Sequence, residues 1–245
     1  MTLDVLAVGA HPDDADLGVG GTLLKLARAG FSVGILDLSR GEMGTRGTVD
    51  ERVAEAAAAA KLLNLCCREC AGLPDGAIAD TDAQRQALIP ILRRLRPRML
   101  LAPMAPDRHP DHAAAHALVT SANFLAGLSR IESGAPPHRA NQVWYYYAYH
   151  EGTEQPLFVV DISDEFAGKL EALRAHASQF HNPGRQDPQT YVSSESFWQS
   201  IEIRSAYWGH RIGKQYGEPF FGSGPLGLHL LPGLDQVQPN AGVFP

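Results

Sequence analysis

LDVLAVGAHPDDADLGVGGTLLKLARAGFSVGILDL, residues 3–38, is the stretch on which the fold turns. Residues 3–9 form a short apolar run closed by glycine, residues 31–38 form a second, and residues 17–29 between them carry apolar side chains at helical spacing. Strand, helix and strand in so short a span make a βαβ unit, whose parallel strands require the helix as a crossover. Further along, Thr48 and Glu51 have the spacing of a capping box, and the alanine-rich stretch after them predicts a helix to about Asn64. A third helix is predicted over 81–96 with a kink at Pro90, then a buried strand over 98–102 closed by Pro103 and Pro106, then a helix over 111–127. Residues 143–149 and 157–162 are rich in β-branched and aromatic side chains and predict strands; Ser163 is read as the cap of a helix ending near Phe180, and a last helix covers 194–209. Strands alternating with helices predict an α/β fold with a mostly parallel sheet covered on both faces.

Composition narrows the class. The chain has 245 residues, enough for one substantial core, and is read as a single domain over 1–245. Residues 213–245 are dense in Gly and Pro, with apolar islands at Phe220, Phe221 and 226–231, and are read as an ordered C-terminal arm. A net charge of −6 without a long basic run argues against nucleic acid or a membrane surface as partner and favours a small molecule. Cys66, Cys67 and Cys70 cluster instead of dispersing as a disulfide framework would, which suggests a reducing compartment. The chain enters its first apolar run without a basic n-region, and Asp13, Asp14 and Asp16 interrupt the hydrophobicity, so no export signal is read and a cytoplasmic location is expected.

Two segments carry the chemistry. His11-Pro12-Asp13-Asp14 follows the first strand directly and His109-Pro110-Asp111-His112 follows the strand at 98–102, so the chain returns to one sheet edge with similar residues. A catalytic zinc site takes three protein ligands, typically histidine nitrogens and a carboxylate, and keeps a position open for water. His11, Asp14 and His112 supply that set. Either segment alone reads equally as a turn or helix cap; the pair at two strand ends is more specific. His116 is a competing ligand, four residues from His112 on one helix face. Cys67 and Cys70 form a CxxC without the second pair of a structural zinc site, and read as core packing. Gly18, Gly20 and Gly21 make a partial dinucleotide fingerprint, but Leu23 stands where the third glycine belongs. His138, His150, His176, His181, His210 and His229 have no ligand-like spacing.

Ala10-His11-Pro12-Asp13-Asp14 with the downstream HPDH resembles the signature of the LmbE/PIG-L-like zinc deacetylases. The resemblance covers nearly the whole chain and looks closest to the bacillithiol-biosynthesis deacetylases, through GEMGTRGT at 41–48, DRHPDH at 107–112, VWYYY at 143–147 and TYV at 190–192. It implies a Rossmann-like fold, zinc bound by His11, Asp14 and His112, Asp13 as the base acting on water, and a homo-oligomer, trimer or hexamer. Asp16 departs from the pattern, since many members carry Glu there. In such a site zinc lowers the pKa of water and polarises the amide, His109 if protonated stabilises the oxyanion, Asp111 orients the imidazole of His109, and Tyr191 either donates to the oxyanion or simply packs. Arg46 and Arg52, beside Glu42 in a glycine-rich loop, are read as a grip on an anionic conjugate or as ordinary solvated charge. The expected activity is N-deacetylation of an N-acetylglucosamine conjugate, with N-acetylglucosaminyl malate favoured. The alternatives are a zinc hydrolase of another N-acetylated sugar or thiol conjugate, and a non-catalytic nucleotide- or sugar-binding protein.

Overall fold

The βαβ unit forms in the computed structural model, which describes residues 2–148, 154–222 and 224: β1 (Val5–Gly9), α1 (Asp14–Arg28) and β2 (Val33–Asp37). β1 pairs in parallel with β2 from Val5↔Val33 to Gly9↔Asp37, and on its other side with β4 (Met99–Pro103). β3 (Cys67–Cys70) extends the sheet beyond β2, and β5 (Gln142–Tyr146) extends it beyond β4. The five strands run in the order β3-β2-β1-β4-β5, all parallel. This is a doubly wound α/β arrangement, with β1 and β4 on either side of the point where the chain switches direction across the sheet.

Alternation of side chains along the strands divides the core. Leu6, Val8, Leu36 and Leu100 pack on one face against Leu88, Ile89 and Leu92 of α3 (Asp82–Leu95) and Leu118, Val119 and Ala122 of α4 (Pro110–Ala126). Val5, Ala7, Val33, Ile35 and Leu101 pack on the other face against α1, Ala59 of α2 (Val49–Leu62) and Ala172 of α5 (Phe166–Ala175). Gly18 lets α1 lie against this face, because a Cβ there would stand 2.2 Å from the Tyr146 ring. The partial glycine fingerprint is thus a packing feature.

Several boundaries follow the sequence closely. Thr48 and Glu51 form the reciprocal capping box of α2, Thr81 caps α3, and Ser194 caps α6 (Glu195–Arg211). α3 continues through Pro90, and Arg96 ends it in the left-handed conformation. Other expectations are corrected. Strand β3 is absent from the sequence reading because Arg68 and Glu69 break any apolar pattern, as suits an edge strand. Cys67 packs only partly into the core, while Cys66 and Cys70 are exposed. β6 (Phe158–Asp161) does not join the parallel sheet; it pairs antiparallel with β7 (Gly217–Phe220), the first part of the expected arm. Ser163 does not cap α5: its hydroxyl bonds Asp161 Oδ1 at 2.6 Å, and the helix ends at Ala175. Tyr149, His150, His229 and most of the arm lie outside the described residues. Among the described residues no helix is long and apolar enough to cross a membrane.

Candidate active site

The turn from β1 into α1 and the turn from β4 into α4 meet at the switch point, at the carboxyl ends of adjacent strands. Local chemistry shapes both. The His11 amide donates to Asp14 Oδ2 at 2.8 Å, which curls the first turn. Asp13 stands at the N-cap of α1 with its carboxylate making no cap bond. At the second turn Pro110 occupies the start of α4, where its missing N–H costs nothing, and His109 Nδ1 accepts from the Asp111 amide at 3.2 Å. Because Nδ1 accepts, the neutral ring carries its proton on Nε2.

His11, Asp14 and His112 converge as the motifs predict. Asp14 Oδ2 lies 3.3 Å from His11 Nδ1, and Asp14 Oδ1 lies 3.2 Å from His112 Nε2. Each imidazole turns its second nitrogen to another carboxylate: His11 Nε2 to Asp75 Oδ1 at 3.1 Å and Asp111 Oδ2 at 3.4 Å, His112 Nδ1 to Asp107 Oδ2 at 3.3 Å. A carboxylate behind a histidine fixes its tautomer and raises its basicity as a ligand. His109 completes the group, its ring stacked on His112 at 4.7 Å and edge-on to His11 at 4.8 Å. His11, His109 and His112 offer nitrogens within 4.8 Å of one another, as do the ligand atoms of His11, Asp75 and Asp111. Above them opens a cleft of about 260 Å³, with Asp13, Asp14, Arg52, Asp75 and the three histidines on its floor and Met43, Gly44, Gly76, Gln179 and Val192 around it.

The electrostatics fit a bound cation. Burial alone would lower the pKa of His11, but Asp14, Asp111 and Asp75 outweigh it and push it up to about 12. Burial likewise opposes protonation of His112, yet Asp14 and Asp107 raise it to about 9. Against its own burial, Asp14 is held well below the usual carboxylate range by His112 and His11. Carboxylates here outnumber cations, which favours positive charge among them, whether protons on the imidazoles or a metal ion that would compete with those protons. The donor set, two nitrogens and a carboxylate oxygen with a position open to the cleft, suits zinc. His109 differs: burial and the positive charge of the neighbouring imidazoles lower its pKa.

The remaining expected site residues are brought close but turned elsewhere. Asp111 does not orient His109 through its carboxylate; that group accepts from Gly76 N at 2.8 Å and faces His11. Arg52 is buried at the cleft floor, where Nη1 donates to Gly41 O at 2.8 Å and Nη2 to Asp13 Oδ1 at 3.2 Å. A positive φ of 68° and a Cβ position 1.7 Å from Arg52 Nη1 require glycine at Gly41. Arg46, neither solvated nor in the cleft, staples its loop to the carbonyls of Ser178, Asp187 and Pro188. Glu42 accepts from the Asp75 amide at 2.9 Å and so supports the loop carrying Asp75. Tyr191 is 60% exposed and does not line the cleft; its ring packs edge-on to Phe197 at 5.3 Å, with Arg108 over it at 4.9 Å, as the packing alternative expects. His116 turns away to Pro103 O at 3.0 Å.

Sequence reasoning missed Asp75 and gave Asp107 no role. Asp75 sits in a Pro-Asp-Gly segment that reads only as a turn, and it meets His11 from 64 positions away. It also missed the partners of Asp16, which is fully buried and paired with Arg68 at 2.9 Å and with His176 at 3.5 Å.

The chain is thus a doubly wound α/β protein with an imidazole–carboxylate cluster under an open cleft at its switch point. The profile of the GlcNAc-PI de-N-acetylase (PIG-L) family matches residues 6–123, a span that takes in both motif turns, and the chain belongs to that family. Diacetylchitobiose deacetylase of Thermococcus kodakarensis is 31% identical over 94% of this chain and 84% of that enzyme. Among solved structures, the conserved protein TT1542 from Thermus thermophilus is similar with a TM-score of 0.84 and 40% identity, over 94% of this chain and 98% of that one. N,N'-diacetylchitobiose deacetylase from Pyrococcus horikoshii, complexed with its inhibitor MPG, gives a TM-score of 0.75 and 27% identity over 88% of this chain and 82% of that one.

Proposed function

We propose that the chain is a zinc-dependent N-deacetylase that hydrolyses the acetamide of an N-acetylglucosamine conjugate to the free amine and acetate. The observation that carries this reading is the convergence of His11, Asp14 and His112 beneath the cleft, with Asp13 and His109 beside them. Zinc held by these three residues supplies a Lewis acid that makes water acidic near neutral pH and polarises the amide carbonyl. Asp13 takes the proton of the attacking water and returns it to the departing nitrogen. Arg52, bonded to Asp13 Oδ1, leaves Oδ2 for that proton and keeps the carboxylate from turning away. His109, with its proton on Nε2, donates to the carbonyl oxygen as negative charge develops there.

For the aglycone, the malyl conjugate is the substrate that the motif set at 41–48, 107–112 and 190–192 favours. A neutral disaccharide such as diacetylchitobiose is the second reading. The Thermococcus relative supports it, and so does the inward engagement of Arg46 and Arg52, which removes them as a ready grip on a carboxylate. Acetate release by the zinc-loaded protein from N-acetylglucosaminyl malate, diacetylchitobiose, an inositol glycoside of N-acetylglucosamine and the free sugar tests both levels. Release from at least one conjugate, faster than from the free sugar, is expected; no release from any of them contradicts the deacetylase reading.

A further inference from the structure

Behind the catalytic turn, on the side away from the metal cluster, strand β3 delivers Arg68 into a buried carboxylate pair. Its Nε donates to Asp37 Oδ2 at 2.7 Å and its Nη2 to Asp37 Oδ1 at 3.1 Å, a two-pronged grip on the last residue of the neighbouring strand β2. Nη1 donates to Asp16 Oδ1 at 3.0 Å, and Nη2 also donates to the carbonyl oxygen of Pro12. Asp16 is in turn flanked by the buried His176 Nε2 at 3.5 Å. The two anchors on the catalytic segment therefore fall at positions 12 and 16, one on each side of Asp13 and Asp14, and the third is fixed to the sheet.

We propose that Arg68 is a positioning residue for the metal site: it holds the 11–16 turn from behind, so that His11, Asp13 and Asp14 face the cleft as one unit. The inference rests on the zinc-deacetylase reading for its catalytic consequence, but its effect on metal binding stands independently. Two features set the clamp apart from ordinary packing. Removing two carboxylates from water is costly, and apolar side chains would fill the same space more cheaply, so such a cluster is better explained by the geometry it imposes. That geometry needs a planar fork reaching several acceptors in fixed directions, which an ammonium group does not provide. A cavity of about 220 Å³ adjoins the guanidinium, lined by Pro12, Asp37, Arg40, Ala56, Arg68 and Cys70, and gives small solutes a way to it.

The test compares wild type with Arg68→Lys and Arg68→Ala, each first shown to be folded by circular dichroism. Zinc affinity is measured by chelator competition, the cobalt-substituted visible spectrum reports ligand geometry, and acetate release gives kcat and KM. Arg68→Lys retains a positive charge between Asp16 and Asp37, yet is expected to bind zinc about ten- to a hundredfold more weakly. Its zinc-saturated form is expected to lose about tenfold or more in kcat with little change in KM. In Arg68→Ala, millimolar guanidinium, but not ammonium, is expected to restore part of the zinc affinity and the wild-type cobalt spectrum. Wild-type affinity, spectrum and kcat in folded Arg68→Lys overturn the proposal. So does a loss of stability alone, with metal binding unchanged. If Arg68→Ala does not fold, Arg68→Lys decides. Should the wild-type protein bind zinc but release no acetate, the function assigned above fails while the affinity and spectral comparison still judges the clamp.

Discussion

The two motif turns and the glycine-rich segment after β2 lie at the same end of the sheet and border one cleft, but their polar side chains are engaged differently. The motif turns aim His11, Asp13, Asp14, His109 and His112 into the cleft. Arg46 in the loop turns away from the cleft onto three backbone carbonyls, while Arg52, in the first turn of α2 that follows, sits on the cleft floor bonded to Gly41 O and Asp13. Short side chains on a tight turn have few places to go, so position in the sequence nearly fixes what they face. A guanidinium on a long stem has five donors to satisfy, and irregular loops leave carbonyls unpaired nearby. An arginine at a sheet edge is therefore as apt to build the loop as to bind the ligand.

The sharpest way to break this contrast is at Asp13. Asp13→Asn is nearly isosteric, and it should keep its zinc while kcat falls by roughly 10²–10⁴-fold, the contribution of a general base. Turnover close to wild type in zinc-replete Asp13→Asn would remove Asp13 from proton transfer. Next in size are the carboxylates behind the ligands. Asp107→Ala and Asp75→Ala should each weaken zinc binding by about ten- to a hundredfold in a chelator competition, with Asp107 acting through His112 and Asp75 through His11. Unchanged affinity in both would mean that these contacts are incidental.

The arginines sharpen the comparison further. Arg52→Ala frees the Asp13 carboxylate, so kcat/KM should drop by about tenfold or more for the malyl, inositol and disaccharide substrates alike, since a charge-assisted hydrogen bond contributes about 1.5–3 kcal/mol. A loss confined to the malyl conjugate would instead make Arg52 a contact for the aglycone. Arg46→Ala should leave kcat of the zinc-loaded enzyme nearly intact and lower Tm by several degrees. It strips buried hydrogen bonds worth about 1–3 kcal/mol from the 178–188 segment.

The smallest effect is in the protons. With His112 raised to about 9 and His11 to about 12 in the metal-free protein, zinc uptake at pH 7 should release about two protons, and affinity should tighten as pH rises. Titration calorimetry in buffers of different ionisation enthalpy measures this; proton-neutral uptake would contradict it. The raised values also set a sign for stability. The metal-free protein should hold the contribution of these imidazolium–carboxylate contacts in full below pH 6.5, losing the His112 part as pH climbs through about 9 and the His11 part only towards about 12.

What was legible in the sequence follows the same division. The 3–38 stretch specifies strand, helix and strand through local periodicity, and its turn places His11, Asp13 and Asp14 at the end of the first strand, where the cleft opens. The switch-point location follows once the strand at 98–102 is placed beside the first. β3 was not legible, because Cys67–Cys70 carries a charged centre whose meaning is tertiary: Arg68 exists to meet Asp16 and Asp37. β6 resembles a parallel strand in composition, and only its pairing with β7 sets it apart. Asp75 and Asp107 were hidden for a further reason. Their roles depend on which nitrogen of each histidine they face, and no spacing encodes that.

The central claim is that the two motif turns build one metal site. It is tested most directly by elemental analysis of wild type, Asp14→Ala and His112→Ala purified side by side, with folding checked by circular dichroism. About one zinc per chain in wild type and little in either variant is the expected result, because each substitution deletes a ligand from a different turn. Equal zinc in all three folded proteins would mean that the metal, if any, sits elsewhere, and that the convergence of His11, Asp14 and His112 is not a zinc centre.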